Sequence, residues 1–300
     1  MSSNMCFRKP NIEDADILRN FLKNSGIHAC DYSPANIILW SEVNSTEICY
    51  DEDTLFIRYL AGNEYHYSFP ITKKSLHDAL DRLTEFSIEK KFELKLGIIE
   101  KWMFDVIEKI YPGRYKVEYK RDYFDYVYER EKLAKLSGKK YHGKKNHINK
   151  FKKTYDKWEY EAISDENIED CIVMVKEWFE ENESMDEESK RDEKTILMKG
   201  FKYYKELGLK GGVIRAGKKI VALTMGEELN NDTFVIHFEK AFANVQGAYP
   251  MINQQFVINE LENYKYVNRE EDLGIEGLRK AKESYNPAFY VEKGVVYEQT

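Results

Sequence analysis

From residue 211 to residue 289 the chain alternates β-rich apolar runs with turns and then helix with strand, and that order leaves few architectures open. Residues 211–226 read Gly-Gly-Val-Ile-Arg-Ala-Gly-Lys-Lys-Ile-Val-Ala-Leu-Thr-Met-Gly, two apolar runs joined at a Gly-Lys-Lys turn, and 233–240 is a third β-rich run. An uncharged loop bearing Gly247 follows, then a helix, a strand, a second helix, and a last strand over 288–293. A meander that feeds a helix and returns as a strand makes a mixed sheet with helices on its faces. Chemistry is sought at the loop that leaves the third strand, where such a sheet opens.

The first half repeats this order. Helical spacing marks 12–22 and, after Pro34, 35–40; strands follow at 47–50, 55–60 and 65–69; then a helix over 74–90, a strand over 92–98, a helix over 100–110 and a tyrosine-rich strand over 119–129. The second half starts with a basic helix near 144–155 and a strand over 158–163. Asp165 is expected to cap a helix over 166–181, and an acidic segment leads to a helix ending near Leu207. The expectation is two similar lobes, 1–135 and 136–300, the second carrying the site. One continuous mixed domain is the alternative.

With 300 residues and 42% apolar content the chain can bury a substantial core. Cys6, Cys30, Cys49 and Cys171 lie far apart with no CxxC pair, which suggests neither a disulfide framework nor a zinc knuckle and fits a reducing, cytoplasmic setting. No secretory h-region stands at the start, and the uncharged run 241–259 holds too many amides to face lipid, so no transmembrane segment is expected. The net charge of −7 argues against a surface that binds nucleic acid everywhere, but charge is distributed unevenly. Seven lysines and no acid lie within 139–153, whereas 177–193 holds nine acids.

Three constellations could carry chemistry. Glu239 and Lys240 end the third strand and point to opposite faces, so one of them can enter a cleft; Glu239 there is a candidate general base, and otherwise half of an exposed ion pair. The loop beside them offers Gln246, Gly247 and Tyr249 at a helix start, whose free amides suit a phosphate or an oxyanion, though an ordinary glycine turn fits as well. Residues 266–274, Tyr-Val-Asn-Arg-Glu-Glu-Asp-Leu-Gly, place Asn268, Arg269, Glu270 and Asp272 at a strand's end. Arg269 can fork onto a carboxylate or phosphate, Glu270 is a second candidate base, and Asp272 can cap the next helix. The basic strip, Lys139, Lys140, His142, Lys144, Lys145, His147 and Lys150, offers phosphate contacts or is a solvated helix flank. His142 and His147 are five apart and share no helical face, so no metal site is expected.

Three stretches also carry a resemblance. They are Tyr-Val-Tyr-Glu-Arg-Glu-Lys-Leu-Ala-Lys-Leu-Ser-Gly-Lys-Lys-Tyr-His-Gly-Lys-Lys-Asn-His-Ile-Asn-Lys-Phe from residue 126, His-Phe-Glu-Lys-Ala from 237, and Val-Asn-Arg-Glu-Glu-Asp-Leu-Gly-Ile-Glu-Gly-Leu-Arg-Lys-Ala-Lys-Glu-Ser-Tyr-Asn-Pro from 267. They resemble a bacterial family likened to the C-terminal domain of phosphatidylglycerol lysyltransferase, over nearly the whole chain. The resemblance implies an α/β fold of mixed sheets: two tandem GNAT-like (GCN5-related N-acetyltransferase) domains about a shared cleft, kin to Fem-type enzymes that take an aminoacyl group from tRNA. Two departures stand out. Gln246-Gly-Ala-Tyr matches poorly the Gln/Arg-x-x-Gly-x-Gly/Ala loop of acetyl-coenzyme A enzymes, and no long membrane-embedded region like that of full-length lipid-modifying synthases is present.

The expected function is therefore acyl-group transfer, most like an aminoacyl-tRNA-dependent aminoacyltransferase acting on an amine or hydroxyl of a small molecule, peptide or lipid headgroup. Glu239 or Glu270 would act as base, amides around 245–247 would stabilise the oxyanion, and the basic strip would hold tRNA phosphates; no cofactor beyond the donor is called for. Alternatives are an acyl-coenzyme A N-acyltransferase and a non-catalytic ligand or RNA binding module.

Overall fold

A computed structural model describes residues 5–182 and 187–299. In chain order, α1 (Ala15–Leu22) and α2 (Pro34–Leu39) precede a meander of β1 (Glu47–Tyr50), β2 (Thr54–Ala61), β3 (Glu64–Tyr67) and β4 (Ile71–Thr72). Next come α3 (Leu76–Lys90), β5 (Leu96–Glu100), α4 (Lys101–Ile110), β6 (Tyr115–Tyr119), β7 (Asp125–Glu129), α5 (Arg130–Lys135), α6 (His142–Thr154) and β8 (Trp158–Ala162). The remainder is α7 (Ile168–Glu181), α8 (Glu187–Lys202), β9 (Lys210–Ala216), β10 (Lys219–Glu228), β11 (Thr233–Ala241), α9 (Ala248–Glu260), β12 (Tyr266–Asn268), α10 (Glu276–Glu283), β13 (Phe289–Val291) and β14 (Lys293–Glu298).

The chain forms two compact units that are discontinuous in sequence. The first comprises residues up to Asp125 with Glu271–Gly274 and Tyr290–Thr300, and the second comprises Tyr126–Glu270 with Ile275–Phe289. The sequence placed a division at 135/136; as packed, the chain changes unit after Asp125 and again near its end.

In the first unit the sheet order is β1-β2-β3-β5-β14-β6, so a strand from the far end of the sequence lies between β5 and β6. Its register is antiparallel on both sides, with Gly294 opposite Ile99 on one neighbour and Tyr119 on the other. At the start of β14, Lys293 is 5% exposed and its Nζ lies 2.7 Å from Asp125, 2.6 Å from Asp31, 3.4 Å from Glu271 and 3.7 Å from Cys30 Sγ. Cys30, Asp31 and Asp125 bring ligand atoms within 4.8 Å of one another, a spacing metals use, and the Lys293 ammonium stands among them as the countercharge. Burial pushes the Cys30 thiol and the Asp125 carboxyl up, while burial's opposing pull on Lys293 is outweighed by Asp125 and Asp31, which hold its ammonium well above the usual lysine range.

In the second unit the order runs β7-β12-β11-β10-β9-β8. All neighbours are antiparallel except β11 and β12, which are parallel. The helix α9 packs on β9, β10 and β11 and against α5 and α6, with Met251, Ile252, Phe256 and Val257 buried.

Several local expectations need correction. Residues 119–129 are not one strand: a 3-10 turn, Arg121–Tyr123, separates β6 from β7. The last stretch is two strands, β13 and β14. The helix α7 begins at Ile168 after Asn167, whose Oδ1 accepts from the Ser164 amide, whereas Asp165 pairs with Lys205. Asp272 does not cap α10; it accepts from the Gly274 amide at 2.8 Å and faces Arg121 within the first unit. Residues 183–186 of the acidic segment lie outside the described residues.

Candidate functional site

The second sheet is split at its centre, and the sequence causes the split. Met225 pairs with Phe238 but Gly226 pairs with Ile236, so His237 is the extra residue of a β-bulge in β11. Only glycine fits at 226, because a Cβ there would overlap the Val235 carbonyl oxygen and approach Ile236 Cα at 2.9 Å. The parallel pairing of β11 with β12 covers only 233–235 and 266–268; beyond it β11 runs on to Ala241 while the other chain turns away at Arg269.

Glu239 and Arg269 face each other across this opening. Arg269 Nη2 donates to Glu239 Oε1 at 2.7 Å, and Asn253 Nδ2, from α9, donates to Glu239 Oε2 at 3.0 Å. The guanidinium lies 4.7 Å from the Tyr285 ring centroid and 5.8 Å from that of Tyr128. Lys282 Nζ donates to the Arg269 carbonyl oxygen at 2.6 Å, which fixes the backbone beneath the guanidinium. Burial works against the Arg269 charge, and Glu239 outweighs it and holds the group charged. Arg269 Nη1 and Asn253 Oδ1 are buried and have no hydrogen-bond partner within the described residues. A free donor and a free acceptor thus flank one carboxylate.

Lys144 belongs to the same cluster. Its Nζ sits 4.0 Å from the centroid of the Tyr285 ring, and burial, reinforced by the Arg269 charge, lowers its pKa to about 8. The rest of the basic strip is different: Lys139, Lys140, His142, Lys145, His147 and Lys150 are exposed along α6 and the turn before it.

Next to Arg269, His237 is buried between two carboxylates, with Nδ1 2.8 Å from Glu270 and Nε2 3.1 Å from Glu227. Burial lowers its pKa, but hydrogen bonds to Glu227 and Glu270 outweigh that and hold it at about 9. Glu270 takes a left-handed backbone, φ +57°, and its amide donates to Asn268 Oδ1 at 2.7 Å. Asn268 and Glu270 therefore frame Arg269 rather than lie beside Glu239.

The structure separates other expected site residues from this cluster. Lys240 points to the other face of β11, where it pairs with Glu193 at 2.6 Å over the Trp178 ring. Asp272 sits in the first unit. Gln246 is exposed. Gly247 precedes α9 at φ +88°, packed so closely on α6 that a Cβ would overlap the His147 carbonyl oxygen. Of the amides expected around 245–247, that of Val245 is already donated to Phe242. Tyr249 is part-exposed, and burial, ahead of the Glu239 charge, raises its pKa. Sequence reasoning missed Asn253, His237, Glu227 and Tyr285. Asn253 carries no signal in the sequence, because Gln254 and Gln255 follow it directly in the same helix.

The phosphatidylglycerol lysyltransferase C-terminal family matches residues 23–297. The chain belongs to that family. This family is one of acyltransferases, and the mixed α/β class expected from the sequence holds for this member, with two mixed sheets. A crystal structure of a conserved protein of unknown function from Bacteroides thetaiotaomicron is 36% identical over 98% of this chain and all of that one, with a TM-score of 0.93. The structure of L-PGS from Bacillus licheniformis shares the fold at 14% identity, covering 94% of this chain and 91% of that one with a TM-score of 0.65. An uncharacterised protein of Mycoplasmoides gallisepticum is 24% identical over 231 residues, 76% of this chain and 73% of that one. Among the described residues of this family member, no helix is long and apolar enough to cross a membrane.

Proposed function

We propose that this protein transfers an aminoacyl group from the ester of a charged tRNA to an amine or hydroxyl acceptor at the split of its second sheet. The observation that carries this reading is the pair of uncommitted buried atoms, Arg269 Nη1 and Asn253 Oδ1, on either side of Glu239. A donor aimed at a carbonyl oxygen and an acceptor for an ammonium match the two ends of an aminoacyl ester. Arg269, already charged and fixed by Tyr285 and Glu239, opposes the negative charge that gathers on the carbonyl oxygen as the tetrahedral intermediate forms.

In the step itself, the acceptor heteroatom attacks the ester carbon and its proton passes to Glu239. The carbon–oxygen bond then breaks, and the departing ribose hydroxyl takes up that proton. Glu239 has lone pairs left for this, since each oxygen accepts one hydrogen bond from Arg269 or Asn253. Glu270 is the lesser candidate because its Oε1 is engaged by His237. The exposed lysines of the basic strip supply the phosphate contacts for the tRNA, and no cofactor besides the donor takes part.

The test is label transfer. Purified protein is incubated with labelled aminoacyl-tRNA or labelled acyl-coenzyme A together with cell extract, with and without ribonuclease. Transfer that needs charged tRNA and stops with ribonuclease is expected, as is salt sensitivity. Ribonuclease-insensitive transfer from acyl-coenzyme A overturns the tRNA reading. Glu239→Gln is expected to slow transfer by roughly 100- to 10,000-fold while a melting curve shows the variant folded at the assay temperature. An unchanged rate removes Glu239 from the chemistry.

A further inference from the structure

We propose that Lys144 is an anion site that receives a phosphate, the phosphodiester joining the terminal nucleoside of the aminoacyl donor to the nucleotide before it. The identity of the ligand rests on the transferase reading, while the anion site itself stands on residues of the second unit alone.

Lys144 is set apart from every other lysine of its strip by position. Lys139, Lys140, Lys145, Lys150, Lys152 and Lys153 are exposed, whereas the Lys144 side chain folds inward until its Nζ lies 4.0 Å from the Tyr285 ring centroid. Among the described residues no carboxylate pairs with this ammonium and no oxygen accepts a hydrogen bond from it, so its donors are free. The neighbouring acid, Glu239, is taken: one oxygen accepts from Arg269 and the other from Asn253. The Arg269 guanidinium stands 4.7 Å from the same ring, and its Nη1 is buried without a partner. Two cations with unused donors thus share one ring and one committed carboxylate. Burial and the Arg269 charge both disfavour the Lys144 ammonium, and the Glu239 charge offsets them only in part. An incoming anion relieves that repulsion and gives the free donors an acceptor.

The surroundings favour a phosphate delivered by the donor. Residues 139–153 hold seven lysines and no acid, and the exposed members can follow a phosphate backbone. Lys144 is the member that turns from solvent toward the ring shared with Arg269, so a strand laid along the strip brings its last phosphate to Lys144 as its ester reaches Arg269 and Asn253. In an aminoacyl-tRNA that phosphate is separated from the ester by a single nucleoside. Lysine suits it, because an ammonium is a compact charge with rotatable donors and a diester spreads its negative charge over its non-bridging oxygens. Seating the phosphate fixes the terminal ribose and so the ester carbonyl against Arg269. Lys144 thereby selects nucleotide donors and takes no part in proton transfer.

The experiment measures, by calorimetry on the full chain, the binding of two stable donor analogues: a 3′-aminoacylamino-3′-deoxyadenosine, whose amide replaces the ester, and the same compound with a 5′-phosphate in place of the diester. The phosphorylated analogue is expected to bind about tenfold tighter, the effect of one charge-assisted contact, with the difference shrinking as salt rises. Lys144→Gln is expected to erase the difference and Lys145→Gln, at an exposed neighbour, to leave it in place, both variants being folded by their melting curves. Equal binding of the two analogues to the wild-type protein, or a difference that survives in Lys144→Gln, overturns the proposal. Glycerol 3-phosphate binding tighter than the phosphorylated analogue, and lost in Lys144→Gln, assigns the anion to an acceptor and overturns it as well. None of these readouts involves transfer: phosphate-dependent binding through Lys144 without label transfer from charged tRNA rejects the transferase reading and leaves the anion site standing.

Discussion

His237 is a buried imidazole whose charge is shared between Glu227 and Glu270, and it links folding to pH. Its folded-state pKa of about 9 lies above the unfolded value of 6.5. The stabilisation is therefore complete below pH 6.5 and is lost as pH rises through 9, to a total of about 3 kcal/mol. Urea titrations from pH 6 to 10 are expected to show this decline, and His237→Gln is expected to flatten it. A wild-type profile with no decline in that window contradicts the pairing. At this scale the sequence was informative where chemistry and position coincide: Glu239 at a strand end and Arg269 after a short strand were readable. Asn253 and Tyr285 were not, because their roles depend on a helix and a turn folding back over the split. Lys144 was readable only as one lysine among seven, since nothing in 139–153 tells which side chain turns inward.

Among the elements, the contact of α6 with the start of α9 rests on a single hydrogen atom. Gly247 sits at φ +88° against the His147 carbonyl oxygen, so Gly247→Ala must both strain the backbone and push the helices apart. A loss of about 1–3 kcal/mol is expected, with faster hydrogen exchange at the amides of 245–251. An unchanged melting temperature rules out the close packing. A helix with a clear apolar stripe, such as α3, and the hairpin of β9 and β10 were legible from spacing within a few residues. The break between β6 and β7 was not, because the aromatic content of 115–129 reads as β throughout and the 3-10 turn at 121–123 contains no glycine or proline to announce it.

For the molecule as a whole, the order of elements gave the class but not the path. Periodicity reports which faces are buried and says nothing about which strands are neighbours, so the insertion of β14 between β5 and β6 lay beyond it. That insertion delivers Lys293 to Asp125, Asp31 and Glu271. Lys293→Met leaves the buried Asp125 carboxylate without its countercharge and is expected to cost about 3–5 kcal/mol, read as a lower urea midpoint. A loss under 1 kcal/mol means that water reaches the cluster.

Because β14 is translated long after β5 and β6, the first sheet cannot close while the ribosome is still making the residues between them. Until residue 298 clears the exit tunnel, β5 and β6 lack their shared partner and expose unpaired backbone edges to other nascent chains. Birth of this protein is thus not strictly vectorial: strands that emerge early wait for a partner that emerges late.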